Sequence, residues 1–176
     1  MRIFAVLALS LALGGCFSSE RPLFAEASGH CPFTTPTLLE ETDETPSHFV
    51  FEASGNYCQT TNDEGKVERT LFVPIGGQWW IVQDDDEHPS YILVHRTGSR
   101  MMQYLPKCEE FSESRLRQLG VTFDAERRYC TANDAHQIDV LFRSWRWGWF
   151  HQPVGAFRIV GPAPSVPPPP VPPAAS

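Results

Sequence analysis

The chain has 176 residues, 41% of them hydrophobic and 20% charged, with 16 prolines, five cysteines and a formal net charge of −7. That length suits one domain with appended segments. The acidic balance argues against nucleic acid as a partner and against a basic patch for anionic headgroups, because neutralising phosphates needs clustered Lys and Arg.

The first element in chain order is apolar. "MRIFAVLALSLALGGC" carries one basic residue, Arg2, then an apolar stretch from Ile3 to Leu13 interrupted only by Ser10, then Gly14, Gly15 and Cys16. As a helix this stretch spans about 16 Å, far short of a hydrocarbon core of roughly 30 Å. A charged start, a short apolar middle and small residues before a cleavage point describe a secretory signal peptide. The ending Leu13-Gly14-Gly15-Cys16 resembles the lipobox of bacterial lipoproteins. The resemblance covers this opening segment alone. It implies that Cys16 becomes the mature N-terminus and is acylated, and buried acyl chains at about 0.8 kcal/mol per methylene make a stable membrane anchor. Phe17 stands where an inner-membrane retention signal would have Asp, which implies the outer membrane, facing the periplasm, in a Gram-negative host. Cleavage would remove Arg2 and take the charge from −7 to −8.

The remainder divides by composition. Residues 1–15 are read as the signal peptide, 16–29 as a lipidated tether, 30–160 as a disulfide-bonded domain and 161–176 as a proline-rich tail. "GPAPSVPPPPVPPAAS" has few backbone donors and fixed φ, so it favours extended polyproline II conformation over helix or sheet. Cys31, Cys58, Cys108 and Cys130 are an even number in an exported chain, which predicts two disulfides with three connectivities open. Cys31–Cys58 and Cys108–Cys130 are favoured because each closes a local unit, worth about 3–4 kcal/mol apiece. The absence of a C-x-x-C pair removes the sequence support for a zinc ribbon or redox site.

From His48 to Leu105 short strands alternate with turn signals: "HFVFEAS", "NYCQTT", "NDEG", "KVERTLFVPI", "GG", "QWWIVQ", "DDDEHP", "SYILVHR", "TGS" and "RMMQYL". Strands joined this closely pair antiparallel, as a meander. "QWWIVQ" and "SYILVHR" are apolar at both parities, so both of their faces must be covered. Pro74 removes a ladder donor and predicts a bulge or an edge. A helix follows over about Glu109–Leu119, with Gly120 as its stop, then an irregular or strand segment "VTFDAERRYC". A second helix starts at the Thr131/Asp134 capping spacing and carries the stripe Ala135, Ile138, Leu141, Phe142 and Trp145. "VGAFRIV" is the last strand. The fold class is therefore α+β: an antiparallel β meander, as a sheet or a small partly closed barrel, with two helices packed on it and two disulfides.

Candidate chemistry is sparse. "LLEETDETP" reads as a solvated acidic loop. "DDDEH", Asp84 to His88, lacks the alternating ligands and central glycine of a calcium loop and reads as a hairpin tip. The histidines form no metal-binding pair, and His95 reads as a satisfied half-buried residue. Neither a nucleophile elbow nor a glycine-rich phosphate loop is present. The chain is thus read as non-catalytic, without cofactor or metal.

"RSWRWGWFHQP" places Trp145, Trp147 and Trp149 at alternate positions. Trp145 ends the second helix, while Gly148 and Pro153 prevent its continuation, so Trp147 and Trp149 begin an extended segment near Trp79 and Trp80. They read first as core covering that face of the sheet; exposed beside Arg143 and Arg146, they would be the candidate contact surface. The expected function is a lipid-anchored binding or scaffolding module of the envelope, with a membrane partner through Cys16 and an envelope protein partner. The alternatives are a small-barrel carrier of an apolar ligand and a lysozyme-inhibitor-like lipoprotein, similar in size, acidity and disulfides but without a matching motif.

Overall fold

The computed structural model describes residues 17–42, 47–126, 128–146 and 151–163. In chain order these form β1 (Phe17–Ser18), β2 (Thr37–Glu41), β3 (His48–Ser54), β4 (Tyr57–Asn62), β5 (Val67–Gly76), β6 (Trp79–Asp84), β7 (Ser90–Thr97) and β8 (Arg100–Tyr104). Then come α1 (Glu113–Leu119), β9 (Thr122–Asp124), β10 (Tyr129–Thr131), α2 (Ala135–Trp145) and β11 (Gly155–Pro162). Cys16, Trp147 and Trp149 lie outside the described residues, as does most of the proline-rich tail.

The meander closes. Strands β2 to β8 pair successively antiparallel, and β11 completes the ring by pairing antiparallel with both β8 and β2, which gives an eight-stranded barrel. The piece missing from the sequence reading was β2; the expected last strand is present as β11, and its pairing with β2 is what closes the ring. Part of the segment read as a solvated acidic loop is β2: Leu39 points inward and is fully buried, paired with Phe49 and Ile159. Local composition favoured a loop there because Glu40 and Glu41 follow directly, but Glu40 faces outward to Arg158.

A period of two divides the core into two clusters. Inside the barrel, Leu39, Phe49, Phe51, Phe72, Val82, Val94, Met101 and Phe157 pack together, as expected for a ring of this size filled by side chains. On the outside of β5–β8, Leu71, Val73, Ile75, Ile81, Tyr91 and Leu93 pack against Ile138, Leu141 and Phe142 of α2 and Leu116 of α1. This is why "QWWIVQ" and "SYILVHR" are apolar on both faces. The predicted bulge is found between Pro74 and Gly76.

Residues 17–29, read as a tether, belong to the folded body. Phe17 is fully buried, with its ring edge-on to Phe111 and Phe142 at 5.6 and 5.3 Å. β1 pairs antiparallel with β7 and parallel with β10. Two buried polar side chains on the barrel wall receive the next residues: Gln83 Oε1 accepts from the Leu23 and Phe24 N–H groups at 3.1 and 3.0 Å, and the Tyr91 hydroxyl bonds Ser19 Oγ at 2.7 Å. Gly29 lets the chain cross the wall, because a Cβ there would lie 2.6 Å from the Asn56 carbonyl oxygen and 2.1 Å from Leu71. Beyond it, Phe33 enters the interior cluster beside Phe51.

Both favoured disulfides form, Cys31–Cys58 and Cys108–Cys130, with Cα separations of 5.0 and 5.8 Å. The first fixes the Phe33 segment to β4, and the second joins the chain after β8 to β10.

The helices are shorter than expected. The first divides into a 3-10 turn, Cys108–Glu110, and α1, which starts at Ser112 because its Oγ accepts from the Arg115 N–H. Gly120 ends α1 at φ 75°, and the Gly120 and Val121 N–H groups donate to Arg117 and Leu116, the expected left-handed stop. For α2 the cap is Asp134 with Gln137, and Thr131 belongs to β10. Among the described residues no helix is long and apolar enough to cross a membrane.

Candidate functional site

The end of α2 and the 3-10 turn after β8 bring together a set of aromatic and titratable side chains. On the outer wall, Trp79 of β6 and His95 of β7 are register partners, and their rings stack at 4.2 Å with 7° between planes. Trp79 then meets Tyr104 at 5.4 Å, Tyr104 meets Trp145 at 5.8 Å, and Trp145 stacks on His151 at 3.4 Å. The result is a five-ring ladder along one side of the barrel. Its inner rings are buried and its ends, Trp79 with His95 and His151, are half-exposed. Burial lowers the pKa of His95 and raises that of Tyr104, so both favour the neutral form.

The ladder ends at a recess of 270 Å³ lined by Glu110, Phe111, Ser144, Trp145 and His151. Glu110 is fixed there by two donors on one oxygen: Oε2 accepts from the Trp145 indole Nε1–H at 2.7 Å and from the Lys107 N–H at 2.8 Å. The other oxygen, Oε1, faces His151 Nδ1 at 3.8 Å. His151 Nε2 lies 2.9 Å from the Trp145 carbonyl oxygen. Ser144 Oγ donates to the Leu141 carbonyl at 2.7 Å.

The arginines expected at a contact surface bond to the β5–β6 hairpin. The left-handed residues Gly76, Gly77 and Gln78, at φ 87°, 64° and 61°, form the β5–β6 turn beside the Pro74 bulge. The bulge interrupts the ladder and turns carbonyls toward α2. Arg143 Nη1 donates to the Ile75 carbonyl at 2.9 Å, and Arg146 Nη1 donates to Ile75 at 2.7 Å and Gly76 at 3.1 Å. Arg143 also binds Asp139, one helical turn earlier, at 2.8 Å. Together they clamp the C-terminal end of α2 to the hairpin.

Trp145 lies where the sequence placed it, at the helix end, and lines the recess with His151. Sequence reasoning did not single out Glu110, Phe111 or His151. The only available signals were the carboxylate pair after Cys108 and a histidine close behind the tryptophan run.

Elsewhere the acidic hairpin tip is held by its own bonds. Asp84 accepts from both the Ser90 N–H and hydroxyl, and burial raises its pKa against those two bonds. Among the described residues no group of three or more His, Cys, Asp or Glu is arranged to hold a metal ion. The chain matches no family model, no curated protein and no solved structure at a significant level.

Proposed function

We propose that this chain is a lipid-anchored envelope module, acylated at Cys16 and held at the outer membrane facing the periplasm, that binds a protein partner without catalysing a reaction. The observation that carries this reading is the five-ring ladder, His95–Trp79–Tyr104–Trp145–His151, which ends in a recess on the outer wall. Aromatic side chains that are rigid and only partly covered are the groups most enriched at the centres of protein interfaces. The filled interior supports a surface-binding role over an apolar carrier, since Phe33, Phe49, Phe51, Phe72 and Phe157 occupy the space a cargo would need.

The test is site-specific photocrosslinking in intact envelopes. A photoreactive residue at Met102, half-buried beside the ladder, is expected to capture a discrete envelope protein, and one at Thr61 on the opposite wall is not. Capture of bulk lipid alone, or equal capture from both sites, would overturn the reading. The anchor is tested separately: Cys16→Ala should abolish lipid labelling and release the protein from membranes.

The closed, disulfide-bonded, acidic barrel also suits the lysozyme-inhibitor-like alternative. Inhibition of lysozyme-catalysed cell-wall lysis by the purified protein would favour it, and an unchanged lysis rate would remove it.

A further inference from the structure

The recess at the end of the ladder has an unbalanced polar lining. The Trp145 indole N–H is engaged by Glu110 Oε2 and the Ser144 hydroxyl hydrogen by the Leu141 carbonyl. A carbonyl oxygen can only accept, so the bond from His151 to the Trp145 carbonyl puts the ring hydrogen on Nε2. In the neutral ring Nδ1 is then a bare lone pair, and it faces Glu110 Oε1 across 3.8 Å. In that form Glu110 Oε1, His151 Nδ1 and Ser144 Oγ all present acceptors to the recess.

Three further features suit this lining to a cationic donor. Ser144 and Trp145 are in the last turn of α2, where the helix dipole is negative and favours cations. Phe111, half-buried at the recess, supplies an aromatic wall suited to a cation. A volume of 270 Å³ is far larger than the roughly 30 Å³ share of one water molecule, so a side-chain head fits.

We infer that the recess takes the N–H-bearing cationic head of an arginine or lysine side chain from a basic protein partner, with Glu110 as counter-ion and His151 and Ser144 as additional acceptors. The chain's net charge of −7 favours approach of such a partner. This rests on the partner-binding reading and names the chemistry its partner must present.

The experiment is an NMR titration of the full disulfide-bonded chain, read at the Trp145 indole N–H. The probes are N-acetyl-arginine amide, its uncharged isostere N-acetyl-citrulline amide, and agmatine, which has the same head without a peptide backbone. The arginine probe should bind about tenfold more tightly than the citrulline probe, and Glu110→Gln should erase that difference. The glutamine retains an acceptor for Trp145 and Lys107, so the variant should fold. His151→Phe, which keeps the ring stack but removes Nδ1, should weaken the arginine probe several-fold.

Equal binding of arginine and citrulline probes, discrimination that survives Glu110→Gln, or shifts that map away from Trp145 would each overturn the inference. Agmatine binding tenfold more tightly than the arginine probe would assign the recess to a free amine and overturn the protein side chain as its occupant. A failed titration beside successful crosslinking at Met102 would leave the module reading intact. Successful titration without a crosslinked partner would do the reverse.

Discussion

Strands β5–β8 and strands β2–β4 with β11 are two halves of one cylinder, yet their outer faces have opposite chemistry. Both halves place apolar side chains inward at alternate positions. Outside, β5–β8 carry Leu71, Ile75, Ile81 and Leu93, all almost completely buried beneath the helices and the N-terminal segment. On the other half, the outward residues include Glu40, Glu52, Gln59 and Arg158, with Leu38, Val50 and Thr61 in a cross-strand row. The difference shows that the sequence periodicity of a strand reports its covering as well as its conformation. A strand under a helix is apolar on both faces, and a strand against solvent carries charged or polar residues among its outward positions.

The strongest way to break the comparison is to uncover the apolar wall. Phe142 is fully buried at the helix–barrel interface, and Phe142→Ala should cost about 3–5 kcal/mol of unfolding free energy. A cost under about 1 kcal/mol in denaturant unfolding would show that α2 does not complete the core.

The next largest effect belongs to the other half. Removing the Cys31–Cys58 bridge, which spans 27 residues and holds Phe33 inside the ring, should cost about 3 kcal/mol when both cysteines become alanine. An unchanged denaturation midpoint would show that the Phe33 plug is held by packing alone.

A matched pair of substitutions sharpens the contrast directly. Ile81→Thr puts a hydroxyl under the helices and should cost about 1–3 kcal/mol, while Val160→Thr on the bare wall should stay within about 0.5 kcal/mol. Val160 is 50% exposed and Ile81 fully buried. Similar costs at the two positions would remove the distinction.

The smallest effect is one of sign. Burial raises the Asp84 pKa above its ordinary value of 3.8. The folded carboxyl thus binds its proton to higher pH than the unfolded one, and stability from this group falls as pH rises from 3.8 through the raised value. Asp84→Asn should therefore stabilise the protein relative to wild type at pH 7, with the gain vanishing at pH 3. A gain that grows on acidification would contradict the burial argument.

Much of this architecture was legible in local pattern: strands β3–β8, the Gly120 stop, the α2 stripe, the Pro74 bulge and the cysteine pairing. Closure of the ring was not, because it depends on β11 returning to β2 across most of the chain, and β2 is a five-residue strand whose two glutamates resemble a loop. β1 has two residues, too few for any periodicity, and is held by pairing with β7 and β10 far along the sequence. The ladder was half legible. Trp145 was placed at the helix end, but the Trp79–His95 stack depends on register, and Glu110 and His151, which meet in the fold, are far apart in sequence.

The burial of Phe17 determines how such a barrel would ride on a bilayer. A flexible leash as long as residues 17–29 would let a domain wander roughly 20 Å from its anchor. Here the residue next to Cys16 is fully sequestered, and Ser18 and Ser19 after it are also buried. An acylated Cys16 would act as a weld rather than a leash, limiting the domain's height and tilt and leaving partners to reach the aromatic ladder from the side.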